Sequence, residues 1–327
     1  MYLFFAESRI FSMTKSRSDA IRALHENIEQ VIKGKSQVIK LAIIGILARG
    51  HILIEDVPGV GKTTLAQLLA SSIDCTFQRM QFTSDLLPSD ILGVTVYDQR
   101  TQEFVFKPGP IFANIVLADE INRTTPKTQS SLLEAMNSAQ VSIDKVTHQL
   151  PQPFMVIATQ NPIEFHGTFP LPKSQLDRFL MRIHIGYPDK KDEVTILREQ
   201  KYAGFIDTVK AVLTRDEIIE MQEEISAVRV DEDLLHYIAE IVLTTRNNPL
   251  IELGVSPRGA LGLRRAAQAK AYIEGRDYIV PDDIKSMAPP CLAHRIQLAQ
   301  TFETASLAHH EDEEIIRQIL GDIEVPI

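Results

Sequence analysis

One stretch constrains this chain more than any other: an apolar run that enters a glycine loop, a lysine and two threonines, His51-Ile-Leu-Ile-Glu-Asp-Val-Pro-Gly-Val-Gly-Lys-Thr-Thr64. Ile52, Leu53 and Ile54 read as a strand buried on both faces, and Leu65, Leu68 and Leu69 mark the buried side of a helix that Lys62 opens. A strand, a tight loop and a helix in that order aim backbone N–H groups at one point, at the positive end of the helix dipole. The loop residues Asp56, Val57, Pro58, Gly59, Val60 and Gly61 can then cradle phosphate oxygens, and Gly59 and Gly61 let the backbone approach closely. Lys62 reaches the β- and γ-phosphates, the Thr63 hydroxyl is placed to ligate Mg²⁺, and Thr64 ends the nucleotide-binding stretch. The usual phosphate-loop pattern begins with glycine where this chain has Asp56, so the strand before and the helix after carry the reading.

A second apolar run, Ile115-Val-Leu-Ala-Asp-Glu120, ends in two acids. By itself it is a strand meeting a solvated loop; downstream of a phosphate loop it becomes a metal-and-water site. Asp119 would hold the Mg²⁺ hydration shell and Glu120 would polarise the attacking water. Asn161 follows the next buried strand in Ala158-Thr-Gln-Asn-Pro162, where an amide can orient that water; alone it would be an Asn-Pro turn. Arg178 stands at the mouth of a further strand, as a surface ion pair or as a finger supplied to a neighbouring subunit. Arg258 opens a later helix, where a cation opposes the helix dipole unless an anion is near.

Short apolar runs alternate with helical periodicity up to about residue 187, the pattern of a parallel sheet covered by helices on both faces. The predicted strands are Ile52–Glu55, Thr76–Phe82, Ile115–Asp119, Phe154–Thr159 and Phe179–Ile185, and the helices between them include Thr63–Ser72 and Lys127–Ser138. Two segments alternate about polar turns and read as hairpins, near 92–107 and 141–150. After Gly186 the strand signals vanish, and helices are predicted over Asp192–Tyr202, Arg215–Ser226, Asp231–Asn247, Gly259–Glu274 and Pro281–His294, with Asp189, Thr214 and Asp231 as caps. The expected organisation is an α/β domain over 19–188 and an all-helical domain over 189–327. Translation is expected to start at Met13, with residues 1–18 a disordered or misassigned extension.

Several function classes drop out. A chain of 327 residues that is 44% hydrophobic can bury a core large enough for two domains, and no run nears the roughly 18 apolar residues of a spanning helix. The net charge of -9 argues against a surface built to neutralise nucleic acid. Cys75 and Cys291 form no disulfide framework and have no metal-ligand spacing, which suits a reducing cytoplasm. His184 reads as structural, His309-His310 as part of a solvated helix, and Arg264-Arg265 as a solvated face.

Beyond the nucleotide motifs, Gln81-Phe-Thr-Ser-Asp-Leu-Leu-Pro-Ser-Asp-Ile-Leu-Gly93, Gly109-Pro-Ile-Phe112, Asp119-Glu-Ile-Asn-Arg123, Leu132-Leu-Glu-Ala-Met136 and Leu171-Pro-Lys-Ser-Gln-Leu-Asp-Arg-Phe179 resemble signatures of the MoxR family of AAA+ ATPases. The resemblance runs from about Asp19 to His294. It implies a P-loop AAA+ core with a helical lid, and ATP with Mg²⁺ as cofactors. Lys62 and Thr63 would then belong to Walker A, Asp119 and Glu120 to Walker B, Asn161 to sensor 1, Arg178 to a finger acting in trans and Arg258 to sensor 2. It places Ile32 and Gly34 beside the adenine and makes Arg123 a further trans contact. Lys173-Ser174 departs from the acid and alanine usual there, which touches the subunit contact beside Arg178. The hairpins resemble the helix-2 insert and the pre-sensor-1 hairpin. The implied role is a homo-oligomeric, hexameric ring that acts, chaperone-like, to mature or activate a client, often one with a von Willebrand A domain. Two rivals are a DNA-translocating motor, against which the acidic balance weighs, and a slow nucleotide-dependent scaffold.

Overall fold

The computed structural model describes residues 17–162, 167–199, 209–299 and 311–326. Nearly all of the predicted N-terminal extension, the end of the helix predicted to reach Tyr202, and His309-His310 lie outside them. The chain forms two compact units: Leu24–Leu171 with Ile183–Ile219, and Pro172–Arg182 with residues 17–23 and those from Glu220 onward.

In the first unit the strands run β1 (Ile52–Glu55), β2 (Phe77–Gln81), β3 (Gly93–Asp98), β4 (Glu103–Pro108), β5 (Ile115–Asp119), β6 (Gln140–Ile143), β7 (Val146–Gln149) and β8 (Met155–Gln160), with β9 (Met181–Ile183) at the change of units. The five-stranded sheet has the order β2-β5-β8-β1-β9, and the pairs β2/β5, β5/β8 and β8/β1 are parallel. Every residue of β5 and all but the last of β8 are buried, as expected of central strands with both faces covered. Asn114 ties the strand starts together: its Oδ1 accepts from the backbone N and hydroxyl of Thr76, and its Nδ2 donates to Pro153 O. His51 does comparable work before β1. Its Nδ1 accepts from Val156 N–H, so Nε2 carries the proton and donates to Met136 O at 2.9 Å. His184 is structural as read, with its Nδ1 2.6 Å from Glu55 O.

Both hairpins form. Gly93 pairs with Pro108 and Asp98 with Glu103 in the first, and Gln140 pairs with Gln149 in the second. They touch through Phe106 stacked on His148, with ring centroids 4.1 Å apart. The first carries exposed aromatic residues, Tyr97 and Phe104, in edge-to-face contact.

The second unit is helical, over Glu232–Asn247, Pro257–Ile273, Pro281–Leu292 and Glu311–Asp322. One expectation needs correction: strand does not disappear after Gly186. Ile251–Leu253 pairs antiparallel with Gln297–Leu298. Two and three residues are too few to show a period of two, and among Ile251–Leu253 only Ile251 is buried, so the pattern was invisible. The predicted caps act as such. Asp231 accepts from Asp233 N, Asp189 from Asp192 N, and Thr214 forms a reciprocal pair with Glu217. Among the described residues no helix is long and apolar enough to cross a membrane.

A buried ion cluster anchors the helical unit. The Asp283 side chain, with no solvent exposure, accepts from Lys270 Nζ at 2.7 Å, from Arg276 Nη1 at 2.6 Å and from Val280 N at 2.9 Å. Burial alone would raise its pKa, but the bonds from Arg276 and Lys270 outweigh that and hold it below the usual carboxylate range. A depressed folded-state pKa gives stability that is present above the unfolded value and lost as pH falls through the folded one. Asp283→Asn should cost about 3–5 kcal/mol at neutral pH, because it leaves two cations facing a neutral amide. Urea melts at pH 7 and pH 3 should show that cost shrinking at the lower pH.

Candidate nucleotide-binding site

The loop between β1 and the helix Lys62–Ser72 turns through two left-handed glycines, Gly59 at φ 86° and Gly61 at φ 93°. At these angles a side chain is strained even where space is open, so glycine is required by the backbone. Gly61 immediately precedes the helix, whose first N–H groups are free of helical partners and suit an anion.

Asp56, the departure from the usual motif, is a clamp. Its Oδ2 accepts from Ile185 N (2.6 Å) and Gly186 N (2.7 Å), and its Oδ1 accepts from Val57 N (2.9 Å). The carboxylate thus satisfies three backbone donors and fastens the loop entry to the chain leaving β9, a task glycine has no atoms for. Its own carbonyl accepts from Lys62 Nζ at 2.6 Å.

These elements wall a cleft of about 720 Å³. Its lining includes residues 58–64 with Lys62 and Thr63, the acids Asp119 and Glu120, and Ile32. A cleft of this size suits a nucleotide. Gly34 is not among the lining residues; it turns at φ 70°, and a Cβ there would run into the Asp192 carboxylate. Asp119 and Glu120 arrive because β5 lies beside β8, which lies beside β1, so the C-terminal ends of three parallel strands share one edge. Asn161, directly after β8, is buried at that same edge.

The acids are engaged. Asp119 Oδ1 accepts from the Thr159 hydroxyl at 2.7 Å, and its Oδ2 accepts from Arg79 Nε (3.1 Å) and Nη2 (2.6 Å). Glu120 adopts φ 58°, with its N–H donating to Thr159 Oγ1 at 2.9 Å. Its carboxylate accepts from Gln81 Nε2 at 2.6 Å and lies 3.3 Å from Arg123 Nε. Arg79 and Gln81 line the cleft and were not foreseen from the sequence. A signal existed, since they sit two apart on one face of a strand whose Met80 is buried. What made them relevant was the pairing of β2 with β5, which no local pattern encodes.

Asp119, Thr63 and a triphosphate are a donor set that fits Mg²⁺, an ion that keeps several waters and takes one or two carboxylates plus phosphate oxygens. Bound there, Mg²⁺ would neutralise phosphate charge.

The second unit holds Arg178 and Arg258. Arg258 lies near Asp177, Arg178 and Arg295, and Arg265 lies near Arg258 and Arg295. The Asp177 carboxylate accepts from Arg295 Nε at 2.8 Å and from the Ser256 hydroxyl. Ser256 caps the helix that Arg258 enters, accepting from Gly259 N at 3.1 Å. Burial lowers the pKa of Arg258, and the nearby charges of Arg178 and Arg295 lower it further, with Asp177 opposing. These guanidiniums are close enough to act on one another's charge. Neither cysteine offers a nucleophile: burial pushes Cys75 and Cys291 up to about 12 each.

Comparisons with known proteins agree with this geometry. The model of the ATPase family associated with various cellular activities (AAA) matches residues 51–181, and that of the AAA lid domain matches residues 243–319. The uncharacterized protein YeaC of Bacillus subtilis is 49% identical over 92% of this chain and 93% of its own length. The chaperone MoxR1 of Mycobacterium tuberculosis is 38% identical over 93% of this chain and 82% of its own. A solved structure from Cytophaga hutchinsonii superposes with a TM-score of 0.89 at 38% identity, covering 100% of both chains. On the phosphate loop, the acid pair at the sheet edge and these relatives, the chain belongs to the MoxR family of AAA+ ATPases.

Proposed function

We propose that this protein hydrolyses ATP with Mg²⁺, as one subunit of a homo-oligomeric ring that remodels or activates a client protein in the cytoplasm. The observation that carries the catalytic part is the single cleft lined by Lys62, Thr63, Asp119 and Glu120 at the C-terminal edge of a parallel sheet. Lys62 and the loop N–H groups would hold the phosphates, Thr63 and Asp119 would hold the metal, which would neutralise phosphate charge, Glu120 would take the proton of the attacking water, and Asn161 would help to orient that water.

The arginine patch supports a phosphate contact outside the cleft's own lining. In our reading Arg178 completes the site of the next subunit, Arg258 senses phosphate, and Arg123 is a further subunit contact. The helical lid beginning near residue 189 carries the nucleotide state to the client. The exposed Tyr97 and Phe104 on the first hairpin suit an apolar surface of that client. A partner with a von Willebrand A domain is the class we infer from the family.

Lys62→Ala tests the binding step. Removing the ammonium should weaken ATP affinity by at least about 2 kcal/mol, the range of a charge-assisted contact, with the chain still folded in the absence of nucleotide. Isothermal titration and mass photometry on the same samples separate lost binding from lost assembly. ATP affinity at the wild-type level in Lys62→Ala would remove the basis of this reading.

A further inference from the structure

Arg79 has no place in the catalytic assignment, yet it holds a decisive atom. Its guanidinium makes two bonds to Asp119 Oδ2, while Thr159 takes Oδ1. Both oxygens of this carboxylate accept hydrogen bonds, Oδ2 twice, and a divalent cation approaching it also meets the guanidinium charge. Arg79 is itself well placed to leave: its side chain is 50% exposed, against 13% for Asp119. Its Nη2 also donates to Gln81 Oε1 at 2.9 Å, and Gln81 Nε2 in turn bonds Glu120, so one strand-borne pair engages both acids. Lys62 is oriented differently, with its ammonium 2.6 Å from the carbonyl of Asp56.

We propose that Arg79 is a competing counter-ion for Asp119: a divalent cation gains that carboxylate only as Arg79 turns away toward the incoming phosphates, so that metal and triphosphate enter together. The proposal rests on Asp119 being the metal ligand. Arg79 lines the same cleft as Lys62 and Thr63, so a short rotation of a half-exposed side chain keeps it among anions. Exchanging Asp119 Oδ2 for phosphate oxygens replaces one charge-assisted partner of two guanidinium N–H groups by another. Arg79 is on this account a positioning residue, acting on the metal through Asp119.

The test is Mn²⁺ binding to the full chain without nucleotide, read from the free-ion signal in electron paramagnetic resonance. Arg79→Met should bind Mn²⁺ on the order of tenfold more tightly than wild type, the size of one neighbouring cation's effect on a carboxylate equilibrium. Arg79→Gln should move in the same direction and Arg79→Lys should stay near wild type. Unchanged Mn²⁺ affinity in both Arg79→Met and Arg79→Gln, with Asp119→Asn weakening it, would overturn the gating role and leave Asp119 as the ligand. If Asp119→Asn also left Mn²⁺ binding unchanged, the metal assignment itself would fail. Melting temperatures of the variants, taken alongside, confirm that each is folded.

Discussion

Glu120→Gln should bind ATP as tightly as the parent chain and turn it over about 10²–10⁴ times more slowly, the span that a positioned general base contributes. The substitution keeps the shape of the side chain and its ability to accept from Gln81 Nε2, so the surrounding bonds should hold. What it removes is the capacity to take a proton. Glu120 sits at φ 58° immediately after β5, with its backbone N–H donating to Thr159 Oγ1, which fixes where its side chain starts. Filter-binding with labelled ATP and a phosphate-release assay on one preparation check both halves. Turnover within a few-fold of wild type would show that the base lies elsewhere.

Arg178→Ala should cost about 10³–10⁵ in turnover, the value of an arginine finger, with ATP affinity retained. The mixing experiment carries the sharper content. Where a subunit with intact Glu120 receives Arg178 from a Glu120→Gln neighbour, a complete site is rebuilt. Mixed Arg178→Ala and Glu120→Gln subunits should therefore recover a share of wild-type turnover that neither shows alone. No recovery, or an isolated monomer as fast as the assembled ring, rules out action in trans. Arg295 offers a control within the patch: it is buried and bonds the carbonyls of Phe179 and Leu180, so its removal should lower the melting temperature as well as the rate. Arg178→Ala should lower the melting temperature less than Arg295→Ala, since Arg178 is only half-buried.

The nucleotide machinery was legible for a physical reason. A strand–loop–helix is local, and its requirements fall on consecutive residues: apolar side chains for the buried strand, glycine where φ turns positive, a cation and a hydroxyl at the helix start. The same holds for the hairpins, whose alternation survives in short segments, and for the caps at Asp189, Thr214 and Asp231. The ribbon Ile251–Leu253 with Gln297–Leu298 was not legible, because its two strands are too short for a period and lie more than forty residues apart. Asp56 could be noticed as a departure but not explained, since the two amides that need its Oδ2 belong to Ile185 and Gly186.

Local residue patterns carry the elements and the chemistry each can support: a phosphate loop at Asp56–Thr64, an acid pair at Asp119–Glu120, and arginines at helix and strand mouths. Which groups meet depends on the folded arrangement of those elements. Placing β5 and β8 between β2 and β1 brings Arg79 and Gln81 onto the acids, and Asp177 gathers Arg295 and Ser256 beside Arg258. The reason is that strand order and side-chain contact are set by burial summed over the whole chain, whereas sequence patterns report only what neighbours along it require.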